Sequence, residues 1–236
     1  MRIAFLDANT DATALAARHP AEVEKFRTLL GPHAAGWTFV DFAVHRDRFP
    51  DGLGGFDGVM ISGSPASVND PAPWVGRLMV LIREAVAAGV PVFGACFGHQ
   101  AVAKALGGAV AKNPGGWQLG RVESALHGPA GWMAGAGPTV ALHAAHKEQV
   151  TAMPPGARAL GGTGAVPFGH MAVGGRVFTT QYHPELDAAF MRELIAAMAA
   201  DLAPDERAAA AASLGARTDE AAMAAWIARF FAEARA

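Results

Sequence analysis

The only cysteine in the chain, Cys96, lies in Val90-Pro91-Val92-Phe93-Gly94-Ala95-Cys96-Phe97-Gly98-His99-Gln100, an apolar run passing into Gly-x-Cys-x-Gly and then a helix-like stretch. This is the thiol form of the strand–turn–helix nucleophile elbow. Glycines two residues to either side relieve the crowding of a sharp turn that holds the central residue in a strained conformation. The turn lifts the sulfur to the carboxyl edge of a sheet, where open α/β folds bind ligands. The positive end of the following helix favours the thiolate. The backbone N–H of Phe97 then points at the oxygen of a carbonyl under attack by Cys96. Gln100, one helical turn on, is a candidate to bind a substrate's polar head. His99 is only three positions from the thiol, aimed sideways by the elbow, and is given a structural role.

A thiolate nucleophile needs a group that takes a proton and returns it to the leaving amine, which at neutral pH points to histidine. Of the nine histidines, His183 ends a strong strand in Gln181-Tyr182-His183-Pro184-Glu185. Pro184 fixes the intervening backbone, so the Glu185 carboxylate can turn back and hold the imidazole in one tautomer. Ser62-Gly63-Ser64-Pro65 follows a buried strand, and its glycine-containing turn presents backbone N–H groups to the same crevice. The N–H of Ser64, or next that of Gly63, is the expected second oxyanion donor.

Short apolar strands alternating with helical stretches must carry these groups, which predicts an α/β layered fold around a mainly parallel sheet. Strands are expected at Arg2–Asp7, Trp37–Ala43, Gly58–Ile61, Val90–Phe93 and Val177–Tyr182. Helices are expected at Ala21–Leu30, Pro73–Ala88 and Gly98–Leu106, beyond Asp187, and from Pro204. Residues 109–175, rich in Gly and Pro, read as short strands and loops. A last helix is expected over 218–236, with Thr218 as N-cap and Met223, Ile227, Phe230 and Phe231 packing on the parent domain. No internal repeat or low-complexity linker divides the chain, so 236 residues read as one domain.

Composition narrows the function. The chain is 52% hydrophobic and 17% charged, and its net charge of −2 comes without a Lys/Arg cluster, which argues against nucleic-acid binding. No apolar run approaches the ~20 residues of a membrane span. Met1–Asp7 reaches an acid at once and reads as a first strand, not a signal peptide. One cysteine permits no intramolecular disulfide and no cysteine-rich zinc site, which fits a reducing, cytoplasmic setting. His143 and His146 are the only close histidine pair and read as ordinary polar positions. No metal and no cofactor are expected.

Taken together, the segments resemble a class I (triad) glutamine amidotransferase domain, most similar to its stand-alone, GMP-synthase-like branch. The resemblance rests on Ser62–Pro65, on Gly94–Gln100 and on Tyr182-His183-Pro184-Glu185, in that order and spacing, and covers residues 1–202. Gly116-Trp117-Gln118-Leu119-Gly120 and His146-Lys147-Glu148-Gln149-Val150 match two further family segments. It implies a three-layer, flavodoxin-like open sheet with C-terminal helices, residues 203–236 forming an extension packed on the same domain. It also implies a glutaminase half-reaction. Cys96 attacks the glutamine side-chain amide, ammonia leaves for a separate synthetase, and water hydrolyses the glutamyl thioester. Gln100, Trp117, Gly120, Ala145 and His146 would cradle the glutamine. The chain departs from the family at Ser64, where a second glycine is frequent, and at Ala145, where serine is frequent. No Ser-Gly-Gly-x-Asp-Ser phosphate loop is present, so a full GMP synthase activity is not expected. Two other readings stand beside the first. One is a self-sufficient γ-glutamyl peptide or amide hydrolase or transferase using the same triad. The other is a non-catalytic binding or regulatory module.

Overall fold

The computed structural model describes residues 1–234. Its first part runs β1 (Arg2–Asp7), α1 (Glu22–Leu30), β2 (Thr38–Ala43), β3 (Gly58–Ile61), α2 (Pro73–Ala87), β4 (Val92–Ala95) and α3 (Phe97–Ala105). Then come β5 (Ala109–Lys112), β6 (Gln118–Leu126), β7 (Thr139–His146), β8 (Glu148–Ala152), β9 (Ala157–Gly162), β10 (His170–Val173) and β11 (Val177–Thr180). Three helices close the chain, α4 (Ala188–Ala197), α5 (Pro204–Ser213) and α6 (Glu220–Glu233).

Nine strands form one sheet in the order β2-β1-β3-β4-β11-β10-β9-β6-β7, while β5 and β8 make a separate two-stranded ribbon. The pairs from β2 through β11 are parallel and those from β11 through β7 antiparallel. Strand direction is therefore shared by all but β10 and β6, giving the expected mixed, mostly parallel sheet. The side-chain period of two builds the layers. Ile3 and Phe5 of β1 face one core with Phe26, Phe178, Ile227, Phe230 and Phe231. Ala4 and Leu6 face the other, with Leu78, Ile82, Ala101 and Val102. Helices α1 and α6 thus cover one face and α2 and α3 the other. A third cluster, Leu186, Met191, Ile195, Ala210 and Leu214, joins α4 to α5.

The elements differ from the expected ones in a few places, each for a local reason. β4 starts at Val92 and not Val90, because Pro91 has no N–H to give a ladder; its carbonyl instead accepts from Val59 N at 2.8 Å. β11 stops at Thr180, since Gln181 N turns away to Gly169 O. Residues 109–175 resolve into the antiparallel half of the sheet plus the ribbon. The last helix begins after Asp219, not Thr218, and Asp219 spends its carboxylate on Ala141 N at 2.8 Å. The final two positions of that expected helix, 235 and 236, lie outside the described residues. Its apolar stripe is buried against the sheet.

Candidate active site

β4 lies between β3 and β11 and delivers Cys96 at its carboxyl end. The backbone N–H of Cys96 donates to Thr180 O at 2.8 Å, tying the turn to β11. Cys96 has φ 48° and ψ −102°, and Asp47 is the only other described non-glycine residue with positive φ. A conformation of this kind costs about 1–3 kcal/mol, which the packing around the elbow must offset. Gly94 and Gly98 serve that packing rather than an unusual φ. A Cβ on Gly94 would meet Gly98 C and O at 2.6 Å, and one on Gly98 would meet Ile61 O at 2.5 Å. Strand and helix thus approach backbone to backbone, and α3 begins directly beneath the sulfur.

His183 comes from the segment after β11. Its backbone N–H donates to His143 O at 2.8 Å, and His143 is itself anchored by Nδ1 on Leu186 O at 2.8 Å. Nδ1 of His183 meets Glu185 Oε1 at 2.7 Å, and the Glu185 side chain is wholly enclosed. Burial alone pulls the His183 pKa down. The charges of Cys96 and Glu185, together with hydrogen bonds to both, overcome this and raise it well above the ordinary histidine value. The site therefore favours a protonated imidazole beside Cys96. Behind Glu185, Glu22 pairs with Lys25 at 2.6 Å. Burial pushes the Glu22 carboxyl up, Lys25 opposes this, and the charge of Glu185 adds to it.

Gly63 packs against both catalytic candidates: a Cβ there would lie 2.8 Å from His183 Cε1 and 3.7 Å from Cys96 Cβ. Among the described residues the backbone N–H groups of Gly63, Ser64 and Phe97 have no protein acceptor, so all three expected oxyanion donors remain open. Ser62 steadies the turn by accepting from Ala8 N at 2.9 Å, and Ser64 Oγ accepts from Ala66 N at 3.1 Å.

Cys96 opens into a cavity of about 320 Å³ whose lining includes Gln100, Lys112, Trp117, Ala145, His146 and Glu148. Four of the five expected substrate contacts thus share a wall with the thiol. Gln100 directs its amide N–H to Glu148 O at 2.8 Å and Gln181 Oε1 at 3.2 Å, so its donors brace the cavity. His146 Nδ1 lies 2.9 Å from Glu148 O; its pKa falls to about 4, chiefly through burial, leaving it neutral. Gly120 does not line this cavity. Its φ is +93°, and a Cβ there would overlap Ser213 Oγ and the Ala210 backbone, so it lets α5 settle on β6. His99 is fully buried, with Nδ1 2.7 Å from Thr179 Oγ1. No group of three or more His, Cys, Asp or Glu side chains among the described residues is arranged to hold a metal ion.

Gln181 is a neighbour of the thiol that the motif reading passed over: its Nε2 lies 3.6 Å from Cys96 Sγ. Nothing in the residue spacing marks it, since the strand has ended and the chain bends at Gln181 and Tyr182.

The chain matches the family model described as glutamine amidotransferase class-I over residues 40–197. It is 31% identical over 194 residues to the glutamine-hydrolyzing GMP synthase of Bordetella parapertussis, covering 78% of this chain and 34% of that protein. The chain therefore spans about a third of the length of that relative. Against gamma-glutamyl peptidase 3 of Arabidopsis thaliana it is 25% identical over 203 residues, covering 82% of this chain and 80% of that protein. Among solved structures, a glutamine amido transferase from Methylobacillus flagellatus shares the fold with a TM-score of 0.73 at 24% identity, over 98% of this chain and 92% of that one. From the matched region and these relatives, the chain belongs to the class-I glutamine amidotransferase family.

Proposed function

We propose that the chain cleaves the side-chain amide of glutamine, or of a γ-glutamyl compound, with Cys96 as nucleophile, His183 as proton carrier and Glu185 as its orienting carboxylate. The observation that carries this reading is the strained Cys96 at the head of α3, in contact with a His183 held by Glu185 at 2.7 Å. Cys96 Sγ bonds to the amide carbon, whose oxygen gathers charge against the N–H groups of Phe97 and of Ser64 or Gly63. His183 gives its proton to the departing nitrogen, and water then releases glutamate from the thioester. Lys112 and Glu148 carry the charges suited to the substrate's α-carboxylate and α-ammonium. Residues 1–202 form the catalytic domain in this reading, and residues 203–236 an extension of it, supported by the burial of Met223, Ile227, Phe230 and Phe231.

In the first form of this activity, ammonia passes to a separate synthetase, as the GMP synthase relatives invite. The second, a self-sufficient γ-glutamyl hydrolase, is favoured by one specific observation: the peptidase relative is matched over most of both chains, whereas the GMP synthase is matched over a third of its length. Glutamate release from glutamine and from a γ-glutamyl dipeptide, by wild type and Cys96→Ala, tests both. The expected result is release by wild type and none by the variant. Ready cleavage of the dipeptide would favour the hydrolase, and equal release by the variant would contradict the role of Cys96.

A further inference from the structure

Two cavities meet at the thiol–imidazole pair, and they differ in character. The one containing Cys96 is lined by Gln100, Lys112 and Glu148 and suits the charged glutamyl head. The other, of about 530 Å³, contains His183 and Glu185 but not Cys96. The two share Ser64, Pro65, Trp117 and Ala145 as a common wall. Beyond His183 one side of the second cavity is apolar, formed by Leu186, Phe190, Leu194 and Met198, and the other is polar and includes Asp11 and Lys25. Phe190, Leu194 and Met198 recur at four-residue steps along α4 and its C-cap and are each only half-buried. Met191 and Ile195 on the same helix go fully into the core, so α4 carries a second apolar stripe that faces the catalytic histidine's side of the site.

Reaction geometry gives that stripe a use. Sγ of Cys96 bonds to the amide carbon, the C–N bond breaks, and its electron pair leaves on nitrogen, which takes a proton from His183. Since Glu185 holds Nδ1, the proton comes from Nε2, and the leaving nitrogen faces the His183 side. Any substituent on that nitrogen enters the second cavity. Ammonia, about the size of water at ~30 Å³, needs neither that volume nor an apolar wall. Resting on the triad reading above, we propose that this cavity is a leaving-amine site, and that the preferred substrates are γ-glutamyl amides whose nitrogen carries an aliphatic or aromatic group. Water hydrolyses the thioester afterwards, so the products are glutamate and the free amine.

The test is kcat/KM, by glutamate release, for glutamine and for the γ-glutamyl methyl-, butyl- and phenethylamides, whose leaving amines are of similar basicity. A rise of about tenfold or more from methylamide to phenethylamide is expected, since each buried methylene contributes roughly fourfold. Leu194→Glu should bring that ratio close to one, and Met198→Asp serves the same purpose if the first variant fails to fold. Cleavage of glutamine and the methylamide without any gain along the series would overturn the leaving-amine site and leave the triad standing. Release of glutamate from none of the four would overturn both.

Discussion

Around His183, three carboxylate and thiol groups act at different ranges. Cys96 and Glu185 touch the imidazole, while Glu22 reaches it only through its charge and is balanced by Lys25. Because the folded pKa of His183 is raised, its stabilising contribution is full below about pH 6.5 and is lost as pH rises through the folded value. In the proposed reaction the same proton serves the leaving group, so the alkaline limb of kcat/KM should report its loss. Glu185→Gln removes one raising charge. Activity is expected to drop by about 10²-fold or more and the alkaline limb to move to lower pH. An unmoved limb in a pH profile of glutamate release would count against Glu185 as the orienting group. Gly63→Ala tests the other side of the ring. Its Cβ would press on His183 Cε1, so activity should fall about tenfold or more while the thermal midpoint changes little. The meeting of Cys96, His183 and Glu185 was readable from the sequence because a strained elbow and a His-Pro-Glu strand end each demand particular residue types. Gln181 was not, because an amide near a sulfur leaves no mark on spacing.

Elements tell a second story. The parallel half of the sheet, with its apolar runs and intervening helices, was legible within a residue or two. The antiparallel half was read only as short strands, because the pairing of β6 with both β7 and β9 depends on long-range register that periodicity does not encode. The placement of Gly120 failed for a related reason: α5 reaches it from about ninety residues away. Two buried histidines give this level its own prediction. His99 is pulled down to about pKa 3 by burial, then by the charges of His170 and His146; His170 is pulled down to about 3 by burial. Both are neutral in the fold and would take up protons on unfolding. Their stabilising contribution is therefore present above about pH 6.5 and is lost as pH falls toward 3. Between pH 6 and 4, His170→Gln should flatten the dependence of unfolding free energy on pH by about 1.4 kcal/mol per pH unit. Denaturant melts at several pH values measure this, and a slope unchanged from wild type would contradict it.

At the scale of the whole molecule, α6 closes the face of the sheet opposite α2 and α3. Phe231 stands at the centre of this contact, 5.6 Å from the Trp37 ring and so near Gly58 that any Cβ there would overlap it. Phe231→Ala should cost about 3–5 kcal/mol in a denaturant melt. A cost under ~1 kcal/mol would show the helix to be an appendage and not part of the core. That packing was foreseeable from the stripe on the last helix, whereas the sheet surface it meets was not. No helix among the described residues is long and apolar enough to cross a membrane. All of these layers converge on one thiol. The most direct measurement is peptide mass analysis after brief exposure to a chloroketone analogue of glutamine, with and without excess glutamine. The account predicts one adduct, on the peptide containing Cys96, formed faster than on a free thiol, slowed by glutamine and slowed in His183→Ala. Absence of an adduct, or labelling indifferent to both glutamine and His183, would contradict it.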